Sequence, residues 1–235
     1  MPNKHVAVLL GGFSSERPVS LDSGNACADE LEKVGYRVTR VDVDRNVAQT
    51  LADLKPDVAF NALHGPFGED GTIQGILEYL EIPYTHSGVL ATALAMDKEM
   101  SKRLAKTHGI PVAESKVMDR HAFTSKHPMQ PPYVVKPNAE GSSVGVFLVR
   151  EGANRPVSEV GEPGWTYGEQ VVVEPYIAGK ELCVAVLGEA TGPRALTVTD
   201  ITPTKGFYDY EAKYTPGGSV HVLPAALPAH VFEAA

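Results

Sequence analysis

The sequence predicts an α/β protein, α/β (α+β) once its later strands are counted, with a parallel-sheet layer ahead of a strand-rich region. Three observations predict this. Residues 6–10 form an unbroken apolar run, VAVLL, that closes on Gly11-Gly12, as a strand buried on both faces does. Strand-like and helix-like stretches follow up to about Ala95, the order that builds a parallel sheet with helical cover. Beyond Ile110-Pro111 the pattern changes to hairpin-like strands.

Taken in order, residues 19–34 carry Leu21, Ala28, Leu31 and Val34 near helical spacing, and Gly35 closes that helix as a C-cap. A second strand, 37–43, alternates apolar and polar positions, and a third, 57–63, ends at His64-Gly65. A helix follows Gly71, with Ile73, Ile76, Leu77 and Leu80 at i, i+3, i+4 and i+7. Another is predicted over 98–108. Strands are predicted over 133–136, 144–149, 170–174, 181–187 and 195–201. The Pro/Gly-rich connections 150–168 and 202–218 have the length of lids or binding loops. The final stretch, PAALPAHVFEAA, reads as the opening of an amphipathic helix, and a complete domain is not expected to end there.

A length of 235 residues suits two domains, and 43% apolar residues suffice for sizeable cores. The net charge of −8 argues against a general nucleic-acid or membrane-surface binder, since both require a basic face. Cys27 and Cys183 are far apart, with no metal spacing or disulfide framework, and both read as small buried apolar residues. No stretch has the length of a signal-peptide core or a membrane span, so a cytoplasmic protein is expected.

Four stretches carry candidate chemistry. KPNAEGSSVGV (136–146) sits between two apolar strands, which is how a β-hairpin carries a phosphate lid: backbone N–H groups and hydroxyls cover the anion and Lys136 supplies charge. An ordinary exposed turn with a chance lysine is the alternative. GGFSSE (11–16) joins a tight turn to a helix start, lacks the G-x-G-x-x-G spacing, and offers Glu16 either to an ammonium group or simply to the helix dipole. LHGPFGEDG (63–71) places His64 at the carboxyl edge of a predicted parallel strand, where α/β proteins bind ligands, while Asp70 reads as a helix cap. In VVVEPYIAGKELCVAV (171–186) Glu174 meets a proline, and the unpaired linker backbone suits an adenine edge or a plain interdomain connection. Lys98, Lys136 and Lys213 lie on separate elements, and the sequence alone leaves open whether they meet on one polyphosphate or remain solvated charges.

In order along the chain, GGFSSERPVSLDSG, ALHGPFGEDGTIQG, AMDKEMSK, KPNAEGSSVGV, VEPYIAGKEL and FYDYEAKY resemble the D-alanine–D-alanine ligase family of the ATP-grasp superfamily. The resemblance implies an N-terminal parallel-sheet (Rossmann-like) domain over 1–97, a central lid domain over 98–178, and a partial C-terminal domain over 179–235 that includes the 202–218 loop. It implies ATP-dependent joining of two D-alanine molecules through an acyl phosphate, for peptidoglycan synthesis. Glu16 would hold the ammonium of the first D-alanine, with His64 near its carboxylate. Lys98, Lys136 and Lys213 would contact the ATP phosphates beneath a lid containing Ser142 and Ser143. Glu174 and the backbone of Pro175, Tyr176 and Ile177 would take the adenine, with Glu181 at the ribose. Tyr214 would close the site by linking to Glu16 and Ser142, giving these three catalytic roles.

The implied partners are ATP, D-alanine and a second copy in a homodimer. The implied ion is Mg²⁺ (or Mn²⁺), whose ligands are expected beyond Ala235. D-alanine–D-lactate or D-alanine–D-serine ligation is the rival within the family, weakly disfavoured by Tyr214; a non-catalytic nucleotide- or amino-acid-binding module is the rival outside it. The polypeptide 1–235 is expected to be inactive by itself, or a fragment of a longer protein. ATP- and D-alanine-dependent phosphate release at the rate of a full-length enzyme would contradict the expected inactivity.

Overall fold

The computed structural model describes residues 4–123 and 126–235. The chain divides into two compact units, Met1–Pro175 and Tyr176–Ala235. In the first, β1 (His5–Leu10) is the middle strand of a parallel sheet between β2 (Arg37–Asp42) and β3 (Val58–Asn61). Its side chains are buried on both faces, which explains the unbroken apolar run. Val6, Val8 and Leu10 pack with Ala28 of α1 (Arg17–Lys33). Ala7 and Leu9 pack on the other face with Val47 and Leu51 of α2 (Val47–Leu54) and with Ile73 and Leu77 of α3 (Thr72–Tyr79). Burial of Leu51 or Leu77 stabilises this layer by about 1.5–3 kcal/mol each.

Gly35 stops α1 as expected: at φ +94° it lets the Tyr36 N–H bond to Leu31 O at 3.1 Å and its own N–H to Glu32 O at 3.0 Å. Helices α2 and α4 (Val89–Met96) are not anticipated by the sequence pattern. Only Val47 and Leu51 are buried on α2, and VLATALAM is too uniformly apolar for a helical face to stand out. Helix α5 (Lys98–Thr107) starts at Asp97, whose carboxylate accepts the Met100 N–H at 2.9 Å.

After α5 the first unit adds an antiparallel sheet in the order β4 (Lys116–Asp119), β7 (Gln170–Pro175), β5 (Tyr133–Pro137), β6 (Phe147–Val149). One face forms a core of Tyr133, Val135, Val149, Val171 and Val173. The other carries Lys136 of β5 and Glu174 of β7. Because Val134 pairs with Glu174 and Lys136 with Val172, these two are diagonal neighbours, within reach for long side chains.

Strand β6 is shorter than the predicted 144–149, because left-handed backbone at Ser142, Ser143 and Gly145 (φ 49°, 61° and 65°) holds the preceding residues in a turn. The connection 150–168 is also more than a loop. It contributes Val160 and Trp165 to the core, and buried Arg120 donates to Val160 O and Glu162 O, fastening the connection to the sheet. Trp165 donates its indole N–H to Gly168 O at 2.7 Å.

In the second unit, β8 (Glu181–Glu189), β9 (Gly192–Pro203) and β10 (Ser219–Val222) form an antiparallel sheet in the order β10-β9-β8. The predicted 202–218 loop is corrected: it contains α6 (Tyr210–Tyr214), which Asp209 starts by accepting the Ala212 N–H at 2.9 Å. The segment 229–234 is helical, as α7 (Ala229–Ala234). The reading of both cysteines as buried is corrected. Cys183 is exposed, because strand alternation puts it on the open face of β8 with Glu181, and Cys27 is only half-buried on α1. Among the described residues no helix is long and apolar enough to cross a membrane.

Trp165→Ala is expected to destabilise the first unit by about 3–5 kcal/mol, the range for emptying an aromatic core position. Denaturant unfolding followed by far-UV circular dichroism measures this. A loss under about 1 kcal/mol would show that the 150–168 segment is a surface loop after all.

Candidate functional site

The turn after β1 brings Glu16 to the start of α1 and buries it, with 1% of its surface exposed. Ser142 of the glycine–serine hairpin donates its hydroxyl to Glu16 Oε2, across 126 residues of sequence. The other carboxylate oxygen, Oε1, is buried without a hydrogen-bond partner among the described residues. Two glycines make room for it: a Cβ would come within 2.9 Å of Oε1 at Gly65 and 2.8 Å at Gly141. The arrangement excludes side chains from one side of a carboxylate and leaves an acceptor there, at a cost of about 1–3 kcal/mol unless a donor arrives.

The turn after β3 borders the same carboxylate. Ser14 donates its hydroxyl to His64 O at 2.7 Å, and His64 Nε2 lies 3.1 Å from Ser23 Oγ. Asp70 is structural, accepting the Thr72 N–H at 3.0 Å and the Phe67 N–H at 2.8 Å; the N-cap position itself is Gly71. The paired left-handed residues Ser142 and Ser143 add strain of order 1–3 kcal/mol each, as functional turns do.

Lys98, first residue of α5, reaches into the hairpin and donates to Glu140 O at 2.5 Å and Asn138 O at 3.4 Å. Burial lowers its ammonium to about 8, helped by the charge of Lys136 and opposed by Glu140, Asp97 and Glu174. The Glu140 carboxyl is pushed up by burial and by the neighbouring charge of Glu16, against the pull of Lys98. A cavity of about 360 Å³ lies beside them, bordered by Glu69, His86, Lys98, Glu140 and Gly141 and floored by Ala91, Ala95 and Met96 of α4.

One helical turn further along α5, Lys102 pairs with Glu174 Oε2, while Lys136 pairs with Oε1. Burial alone would raise the Glu174 carboxyl, but the two ammonium groups together hold it below the usual range.

Glu16, His64, Lys98, Lys136, Ser142, Ser143, Glu174 and Pro175 therefore all belong to the first unit, and Glu16 with Ser142 and Lys136 with Glu174 are in direct contact. Tyr176 and Ile177 open the second unit, 38% and 70% exposed, and Glu181 starts β8. Lys213 and Tyr214 lie on α6, with the Lys213 ammonium 5.2 Å from the Tyr208 ring centre and the Tyr214 ring 4.8 Å from that of Tyr210. Sequence reasoning missed two residues. Lys102 was signalled by its i+4 spacing from Lys98, and Glu140 by its place inside the KPNAEGSSVGV motif.

Two family descriptions match: D-ala D-ala ligase N-terminus over residues 46–87 and D-ala D-ala ligase C-terminus over residues 104–235. A D-alanine–D-alanine ligase of Chelativorans sp. is 63% identical over 234 residues, covering 99% of this chain and 75% of the relative. The crystal structure of the Bacillus anthracis D-alanine–D-alanine ligase complexed with ATP superposes with a TM-score of 0.73 at 28% identity, over 98% of this chain and 73% of that one. The VanG D-Ala:D-Ser ligase of Enterococcus faecalis gives 0.71 at 28% identity, over 99% and 80%.

A parallel layer followed by an antiparallel sheet, with a lysine and a carboxylate side by side behind a serine hairpin, defines an ATP-grasp ligase. Within that class, the chain belongs to the D-alanine–D-alanine ligase family.

Lys98 supplies a pH test. Its folded value of about 8 lies below the unfolded 10.5, so between those values the unfolded chain binds more protons. The contribution of Lys98 to stability is thus fully present above pH 10.5 and is lost as the pH falls through 8. Unfolding free energies measured by urea titration across this window are expected to rise with pH less steeply in Lys98→Met than in the unsubstituted protein. Equal slopes would contradict the buried ammonium.

Proposed function

We propose that this protein joins two D-alanine molecules into D-alanyl-D-alanine at the expense of ATP, the dipeptide serving peptidoglycan synthesis. The observation that carries the reading is Glu16: a buried carboxylate with one oxygen held by Ser142 and the other unpartnered among the described residues, in a gap kept open by Gly65 and Gly141. A substrate ammonium is the donor that such an oxygen accepts. His64, on the adjoining turn, is assigned to the carboxylate of the same D-alanine.

In this reading the carboxylate attacks the γ-phosphorus of ATP. The bond to the leaving β-phosphate oxygen breaks, and ADP leaves an acyl phosphate. The amine of the second D-alanine then attacks the acyl carbon, inorganic phosphate departs with the C–O electron pair, and the amine loses a proton. Positioning and charge neutralisation dominate such chemistry. Lys98 and Lys136 are the first-unit groups assigned to the phosphates, and the 136–146 hairpin is assigned to excluding water from the acyl phosphate. Glu174 and the backbone of Pro175, Tyr176 and Ile177 are assigned to adenine, and Glu181 to the ribose. The roles of Ser143, Lys213 and Tyr214, the division at 97/98 and 178/179, cytoplasmic location and a homodimer rest on the family resemblance.

ATP in this family works with Mg²⁺, which neutralises phosphate charge. Among the described residues there is no group of three or more His, Cys, Asp or Glu side chains that could hold a metal.

The protein at its natural length, given ATP and D-alanine, is expected to release phosphate and D-alanyl-D-alanine, detected by a coupled assay and mass spectrometry. Glu16→Gln is expected to lower kcat/KM by about 30-fold or more, the effect of removing one side of a buried charge pair. A larger yield with D-serine or D-lactate as second substrate would instead assign the activity of the D-Ala:D-Ser relative or its lactate counterpart.

A further inference from the structure

Glu174 is held by two ammonium groups where one would neutralise it. Its side chain is 13% exposed, and those of Lys102 and Lys136 are 16% and 24% exposed, so all three are largely out of water. The lysines come from different elements, Lys102 from α5 and Lys136 from β5, and each takes a different carboxylate oxygen. The trio carries one net positive charge.

This redundancy has a use if Lys136 must leave. A nucleotide phosphate drawing Lys136 away would strand a mostly buried carboxylate, which is costly by itself and repels the arriving phosphate. With Lys102 in place, Glu174 keeps a counter-ion throughout. Lys102 is anchored on a helix whose first residue, Lys98, is already fixed to the hairpin, so it can hold Glu174 without following Lys136.

We infer that Lys102 is a positioning residue that retains Glu174 as an ion pair and thereby frees Lys136 for a nucleotide phosphate. The inference deepens the proposed function and rests on its assignment of ATP to Lys136 and Glu174.

Calorimetric titration of the full chain with a non-hydrolysable ATP analogue tests it. Lys102→Met is expected to weaken binding roughly tenfold or more, and Lys102→Arg, which keeps the ion pair, to stay within about threefold of the unsubstituted protein. In a Glu174→Gln background no carboxylate is left to strand, so adding Lys102→Met is expected to change affinity little. Lys102→Gln provides the same comparison should the methionine variant fail to fold. Unaltered affinity in Lys102→Met, or an equal loss with and without Glu174, overturns the role of Lys102. Absence of analogue binding by the unsubstituted protein overturns the nucleotide assignment itself, and the inference with it.

Discussion

The first unit depends on one contact: the Ser142 hydroxyl on the buried carboxylate of Glu16. It ties the turn after the first strand of the parallel layer to the hairpin of the antiparallel sheet, two structures far apart in sequence. A carboxylate this deep requires polar partners, and leaving one oxygen without a donor among the described residues sacrifices stability. At Gly65 and Gly141 a Cβ would crowd Glu16 Oε1, so both positions keep the space beside that oxygen open. Strain at Ser142 and Ser143 belongs to the same bargain, since a relaxed turn would aim the hydroxyl elsewhere.

A second constraint works by charge. Lys98, Lys102 and Lys136 stand among Glu174 and Glu140, and burial works against the charged forms of Lys98, Glu140 and Glu174. Cations outnumber carboxylates around Glu174, the reverse of the protein's net charge of −8. A polyanion can therefore be attracted locally by a protein that repels polyanions at large.

The parallel layer was legible because its signals are strong and local: an apolar run for β1, an i, i+3, i+4, i+7 set for α3, and a glycine stop for α1. What escaped was set by tertiary packing. Helix α2 buries only two side chains, α4 offers no contrast between faces, and β10 buries none of its four residues. Residues 150–168 read as a loop because they are rich in proline and glycine, whereas Trp165 and Val160 are recruited by a distant sheet. The site was legible as motifs but not as contacts. Glu16 and Ser142 were candidates, but the unpartnered oxygen between two glycines is a three-dimensional fact. Lys102 resembled any solvated helix lysine until β7 placed Glu174 opposite it.

The spacing of Lys98 and Lys102 has a consequence for how the gene can vary. Both grips belong to one face of α5, the first on the hairpin backbone and the second on Glu174. One residue inserted between them would turn the second grip by about 100° relative to the first. Substitutions at outward-facing positions such as Arg103 leave that phase intact, but a single-codon insertion or deletion within the turn separates the two grips at once. Over the four steps from Lys98 to Lys102 the length of the chain matters to the two grips as well as the identity of the residues.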